Sequence, residues 1–499
     1  TINTTGADNT AVGYGALYAN TTASNNTAVG KEVLAANTTA ANNTGVGYRA
    51  LYANTTGTTN TALGSVALNA NTTGGQNVGI GSEALDANTT ADGNVAIGFR
   101  ALTANTTGAD NVGIGESALE DNTTGTLNTA VGFRALATNI TTSNSTGIGY
   151  AALENAVGAG NTAVGTYALV TSTTGTRNVA VGANTLDALT TGYNNTSVGY
   201  DAGTSTTDAY NNTFIGTYCG DANTTAYSCT AVGHNAMGTE QTGSGNTAVG
   251  EAAMYTANSS SNSQNTAFGQ SAMGSGAIAG TSNTGIGHGA LAVLTSATGN
   301  SGLGRYSGVA ITTGDYNTCV GYIAGDAITT GSNNVCVGYD SGSDAMESIT
   351  TDSNNVIIGN NSSDNAEVKV DWTVGSDVRD KTDIETLPDN AGLNFVNQMR
   401  PVSYVWDNRS NYYSYSHEKY GERDHSKKSK IKQVGFIAQE IKEIEKSIGW
   451  EEDHLVNTSN ERSYKLMYSQ ITPILVKAIQ ELSAEVEELK KKAHNKCDN

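Results

Sequence analysis

The sequence is short of proline, of charge and of long apolar runs. Only three prolines occur in 499 residues, all beyond residue 387, and charged residues make up 14% of the chain. No stretch reaches the ~18 apolar residues of a membrane helix, so no membrane insertion is expected. No signal-peptide pattern opens the chain. There are five cysteines and six histidines. Cys219, Cys229 and Cys497 have no metal-ligand spacing and no histidine lies in a metal motif, so neither a metal nor a cofactor is expected. Low charge with abundant Thr, Asn, Gly and Ala is a composition that suits disorder. A strict internal repeat argues against it here.

Segments of the type Asn-Thr-Ala-Val-Gly begin at Asn9, Asn26, Asn43 and Asn60 and continue at intervals of 17 residues through Asn128 and Ser145. With small insertions the pattern runs on to Asn355, which makes 21 copies. A fixed period near this length is the mark of a solenoid, whose repeats must stack to bury a core. Position four of the repeat is Val, Ile or Leu in every copy except one, which has Phe268. Position five is always Gly, from Gly13 to Gly359. Position nine is Leu in the early copies, such as Leu17 and Leu34, and becomes Met or Gly later, as at Met237 and Gly220.

Thr-Ala-Val alternates like a short strand with positions two and four on one face. The Gly that follows permits positive φ or the close approach of another backbone. Asn-Thr-Thr then supplies turn chemistry, since Asn tolerates the left-handed region and caps its own turn. Asn-Thr-Thr also reads as a glycosylation sequon, and its recurrence within the turn favours the structural reading. Two apolar anchors per repeat make a thin core. We therefore expect a mainly β fold, a trimeric β-helix or β-roll fibre, with three chains burying the Val and Leu columns together. One strand spacing of about 4.8 Å per coil gives a shaft on the order of 100 Å, and interleaved chains would give roughly three times that. The repeat is weakly similar to the head repeats of trimeric autotransporter adhesins, which share a comparable strand with a different period.

Cys319 and Cys336 occupy the same repeat position one coil apart. Stacking would bring them to about 5 Å, a spacing open to a disulfide, although two small buried thiols is the plainer reading. Tyr14, Tyr18, Tyr48, Tyr52 and Tyr150 are candidate exposed rings for stacking on sugars.

The net charge of −20 is unevenly spread. Residues 1–368 carry 6 Lys/Arg against 24 Asp/Glu, a balance of −18, and residues 369–499 carry 20 against 22, a balance of −2. An acidic shaft disfavours nucleic acid as a partner. The basic run Lys427-Lys428-Ser429-Lys430-Ile431-Lys432 reads as a solvated loop and not as a nucleic-acid patch. The chain opens on Thr1, already in register and without Met. We expect it to be part of a longer protein whose missing N-terminal portion would join other components.

The division expected is a repetitive shaft at 1–364, a connecting strand at 365–375 and a different domain at 376–499. The last segment carries four separated motifs: Ser376-Asp377-Val378-Arg379-Asp380-Lys381, Pro401-Val-Ser-Tyr404-Val-Trp406, Gly435-Phe-Ile-Ala-Gln-Glu440, and Tyr464 followed by Leu475-Val-Lys-Ala-Ile-Gln-Glu-Leu482. Independently, Leu475, Ile479, Leu482, Val486 and Leu489 follow a coiled-coil seam.

In this order the four motifs resemble the endosialidase-type intramolecular chaperone, the peptidase S74 family of phage tail spikes and fibres. The resemblance covers about residues 370–495. It implies a small α+β domain that trimerises, helps the fibre ahead of it to fold, and then cuts itself off at Gly375–Ser376. It assigns Ser376 as nucleophile and Lys381 as general base, with Asp377 and Arg379 in the same motif. A serine–lysine pair is chemically competent when burial or cationic neighbours lower the lysine pKa. Attack by an N-to-O acyl shift and attack from a neighbouring chain both remain open.

The reading is therefore a virion tail fibre or spike shaft, homotrimeric, meeting a host cell-surface receptor expected to be a glycan. Self-cleavage is the only enzymatic activity expected. A polysaccharide-degrading spike would need paired carboxylates, whereas Glu32, Glu83, Glu116 and Glu154 sit singly on different coils. A bacterial surface adhesin would need an export signal and an anchor. An ice-binding solenoid would leave a cleavable chaperone unexplained.

Overall fold

The computed structural model describes residues 2–239, 242–256, 262–343, 349–360, 363, 376–407, 412, 422–450, 452, 454–458 and 464–497. They fall into two compact units that divide after Ile358.

The first unit is a parallel β-solenoid. Each repeat contributes one three-residue strand, from β1 (Thr10–Val12) to β21 (Val356–Ile358). Each strand pairs in parallel with the same strand of the next coil, residue for residue: Thr10 with Thr27, Ala11 with Ala28, Val12 with Val29. Because a chain's consecutive strands pair with each other, one repeat advances one strand spacing. That selects the shorter of the two expected lengths, about 100 Å.

The pleat decides what is inside. Position three is buried in every strand but the first and last, while positions two and four never are. Ala28 and Ala62 are fully buried, whereas Val12, Leu63 and Phe268 are exposed. The interior is lined by position three and by the position-nine column of Leu34, Leu51, Leu68 and their successors. The expectation that three chains would bury the Val and Leu columns together is corrected on this point. The Leu column is enclosed within its own coil, and the Val column lies outside. The coil is too narrow for two large residues to face each other: a Cβ added at Gly79 would stand 3.3 Å from Leu68 Cγ.

The interior also holds amide ladders, so a single chain has more core than its apolar residues alone provide. Position-one asparagines pass a bond from coil to coil. Asn43 N donates to Asn26 Oδ1 at 2.9 Å, and Asn60 N to Asn43 Oδ1 at 2.9 Å. Position-twelve asparagines form a second ladder, with Asn105 Nδ2 donating to Asn88 Oδ1 at 3.0 Å and to Gly108 O at 2.9 Å. Buried as they are, such bonds cost much to lose, since each orphaned group keeps its full desolvation penalty. Asn-Thr-Thr thus caps its own turn as expected, but its Asn is not left-handed. That conformation falls at positions seven, nine and seventeen, as in Glu32, Leu34 and Asn42. The sequon nitrogen of Asn37 or Asn54 is buried and hydrogen-bonded, in keeping with the structural reading.

Position five admits only glycine. Gly132 has φ 137°, and the carbonyl oxygen of Gly149 lies 2.3 Å from where a Cβ would stand. Both permissions foreseen for this corner are in use. Where position nine is Gly, neighbouring side chains fill the space. Phe214 packs over Gly203 and Gly220, and Cys319 and Cys336 pack over Gly325 and Gly342. Cys319 and Cys336 are register partners and buried thiols.

The second unit is a small mixed domain. Helix α1 (Leu393–Gln398) precedes an antiparallel pair, β22 (Val402–Val405) with β23 (Lys432–Gly435). Helix α2 (Ala438–Ser447) follows, then the short antiparallel pair β24 (Val456–Asn457) and β25 (Lys465–Leu466), and finally the 30-residue α3 (Tyr468–Cys497). The core joins Phe395, Ile441, Ile444, Leu455, Val456, Ile471 and Ile474. No helix in the described residues is long and apolar enough to cross a membrane.

Candidate functional site

Ser376 and Lys381 are brought together by one turn of 3-10 helix, Val378–Asp380. Asp377 starts the turn: its Oδ1 accepts from Arg379 N at 2.9 Å and from Arg379 Nε at 3.0 Å. The guanidinium beside it holds the Asp377 carboxyl below the usual carboxylate range. The turn closes with Lys381 N donating to Val378 O at 3.2 Å. The chain then doubles back far enough for Lys381 Nζ to donate to Ser376 Oγ at 2.7 Å. A base this close is placed to take the hydroxyl proton. Asp377 and Arg379 are occupied with each other and shape the turn. Ser376, Arg379 and Lys381 are all exposed, so within the described residues of one chain the pair has none of the burial that activates a lysine base. Gly375 and the expected connecting strand at 365–375 lie outside the described residues.

The second and third motifs meet in one hairpin. Tyr404 lies opposite Gln433, and its ring packs edge-on against Trp406 at 5.3 Å. Glu440, at the end of the third motif, accepts from Arg400 Nε at 3.1 Å. Helix α3 holds this hairpin through Tyr468, whose hydroxyl accepts from Phe436 N at 3.1 Å. It also holds α1, since Leu393 N donates to Glu481 Oε2 at 2.6 Å and Lys477 pairs with both Glu481 and Asp389.

Helix α3 has two faces. Ile471, Ile474 and Ala478 are buried in the domain, whereas Leu475, Ile479, Leu482, Val486 and Leu489 are all exposed. The seam read from the sequence is therefore not the face packed on its own domain.

Two polar clusters were not visible in the sequence. Glu445 is fully buried, accepts from Leu455 N and pairs with the buried Lys442 at 3.5 Å. Asp407 accepts from Tyr412 Oη at 2.8 Å and meets His425 Nδ1 at 2.6 Å. Burial alone would raise the Asp407 carboxyl, but these bonds outweigh it and hold it below the usual range. A helical i,i+3 spacing hinted at the first cluster. No spacing marks the second, whose members are brought together by the fold.

The family model described as chaperone of endosialidase, Peptidase_S74, matches residues 376–450. The match begins at Ser376 and includes the first three motifs, while the fourth lies beyond it. No curated protein and no solved structure matches the chain. The C-terminal region thus carries an endosialidase-type chaperone domain behind a long β-solenoid, a combination that suggests a tail spike or fibre with an intramolecular chaperone.

Proposed function

We propose that this chain is the shaft of a phage tail fibre or spike. In this reading it is a homotrimer carried on the virion, attaches to a host cell-surface receptor such as a glycan, and joins other tail proteins. The C-terminal domain aligns three chains through the exposed seam of α3 and then releases itself. The observation that carries the reading is the 2.7 Å contact of Lys381 Nζ with Ser376 Oγ at the first residue of the chaperone match.

Lys381 takes the hydroxyl proton, and Ser376 Oγ attacks the Gly375 carbonyl of its own or a neighbouring chain. The Gly375–Ser376 C–N bond breaks, its nitrogen leaves as the protonated amine, and the acyl group rests on Oγ as an ester. Water then hydrolyses the ester to the Gly375 carboxylate and restores the hydroxyl. Assembly of three domains would supply the burial that one exposed pair lacks, so that cleavage follows trimerisation. Intact mass of the wild type beside Ser376→Ala tests this. Pieces of 375 and 124 residues from the wild type alone support it, and an uncut trimeric wild type sinks the Ser376–Lys381 assignment.

A further inference from the structure

We infer that the outer face of the solenoid strands, positions two and four of every coil, is the surface along which copies of this shaft pack side by side. The inference rests on the homotrimer proposed above and adds the face. Position two is Thr, Val or Ser and position four is Val, Ile, Leu or Phe throughout, with no charged residue at either. Both point outward from every strand. The result is one charge-free, half-apolar strip running the whole solenoid, in a chain whose net charge is −20. At strand spacing it measures about 100 Å by about 7 Å, on the order of 700 Å². Each partner of a stable interface contributes about 800 Å². Charge sits on other sides of the coil, in pairs that bridge successive turns: Arg49 with Glu32, Arg100 with Glu83, Arg134 with Glu154.

The occupant is a second and a third copy of this chain. A partner must match the strip in length and period, and another copy does so by construction. Each strand already pairs with its own chain's neighbours, so copies meet by side chains across the strip and do not exchange strands. Domains joined through α3 at one end set the shafts parallel, and identical coils then face each other around the common axis. An ice surface fits less well. Its ranks would be uniform, whereas position two changes from Thr to Val at Val78, Val95 and Val112, and position four varies in bulk up to Phe268.

The test uses the full chain carrying Cys497→Ser, with Val131→Cys at position four or Thr124→Cys at the exposed position fourteen. Oxidative cross-linking is read on denaturing gels, and mass by sedimentation equilibrium. A trimer whose Val131→Cys form gives at least tenfold more covalent dimer than the Thr124→Cys form is the expected result. A trimer that cross-links at residue 124 and not at 131 overturns the face and leaves the trimer standing. A monomer overturns both, as does thermal hysteresis from a monomeric shaft. Ile148→Cys, one coil further on, repeats the test if Val131→Cys fails to give the native β-sheet spectrum.

Discussion

The shaft and the chaperone domain solve the folding problem in opposite ways. In the shaft nearly every bond reaches the same place one coil away, and the same few contacts recur: a strand pair, two Asn ladders, an apolar column. In the chaperone domain the decisive contacts are single. Leu393 meets Glu481 across 88 residues, Phe436 meets Tyr468, and Glu445 meets Leu455 and Lys442. Repetition makes the shaft's stability a sum of nearest-neighbour terms, but it leaves register poorly specified. Coil eight offers coil nine's partner nearly the same surface, so two shafts, or two stretches of one shaft, can pair one repeat out of step. Unique contacts cannot slip in this way. A domain of unique contacts attached to a repetitive shaft is the component able to set its register, a physical reason for such a shaft to carry a chaperone.

The two units should differ most in their response to substitution of a glycine with positive φ. Gly132→Val puts a branched side chain at φ 137° and against the Gly149 carbonyl. We expect a loss of more than about 3 kcal/mol and collapse of the shaft's thermal transition. Gly449 also has positive φ, at 87°, but nothing lies within 4 Å of its Cβ position. Gly449→Ala should cost only about 1 kcal/mol. Equal effects in the two units would mean that close coil stacking does not constrain position five.

The next effect lies in the core, where the shaft tolerates exchange of volume between positions. Phe214→Ala empties the space beside Gly203 and Gly220, and should cost about 3–5 kcal/mol in chemical denaturation. Gly220→Leu alone should also destabilise, because its Cβ would stand 2.8 Å from the Phe214 ring. The two together restore the Ala and Leu pairing of other coils, and Leu186 and Met237 hold that position at φ 52° and 53°. The double variant should therefore be more stable than either single one. Additive losses would show that the coils do not share volume in this way.

Much of this was legible in the sequence. Period, strand and corner glycine follow from residues that each have one physical use, and the four tail motifs carry their own order, whereas the left-handed positions fall on residues such as Glu32 and Leu34 that carry no such mark. What escaped reading depends on which side of a three-residue strand faces in. Thr-Ala-Val alternates either way, and the apolar Val invites the wrong choice. Only the width of the coil, set by Leu68 against Gly79, decides for the small residue. The same ambiguity hid the ladders, because Asn20 and Asn37 look like turn residues until the turn is found to point them inward. In the tail, Ser376 and Lys381 were singled out by the motif shared with the chaperone family, since a Ser and a Lys five residues apart mark nothing by themselves, and the cluster at Asp407 escaped because the fold alone assembles it.

The smallest effect asks whether the shaft opens from its ends, as a sum of neighbour terms requires, or all at once. Cys219 is buried near the middle of the array and Cys336 is buried in the last coil but one. Burial pushes the Cys219 thiol up from 9.0 to about 12, so at pH 8 it stays protonated in the folded shaft and alkylation waits on opening. The linkage runs in one direction. Stability from this thiol is intact below pH 9.0, the unfolded value, and is lost as pH rises toward about 12. Alkylation at pH 8 followed by peptide mass analysis should therefore find Cys336 modified several-fold faster than Cys219, since fewer coils must part to expose it. Equal rates for the two would show a shaft that unfolds as one cooperative body. In that case the contrast with the chaperone domain would lie in register alone and not in the way stability is distributed.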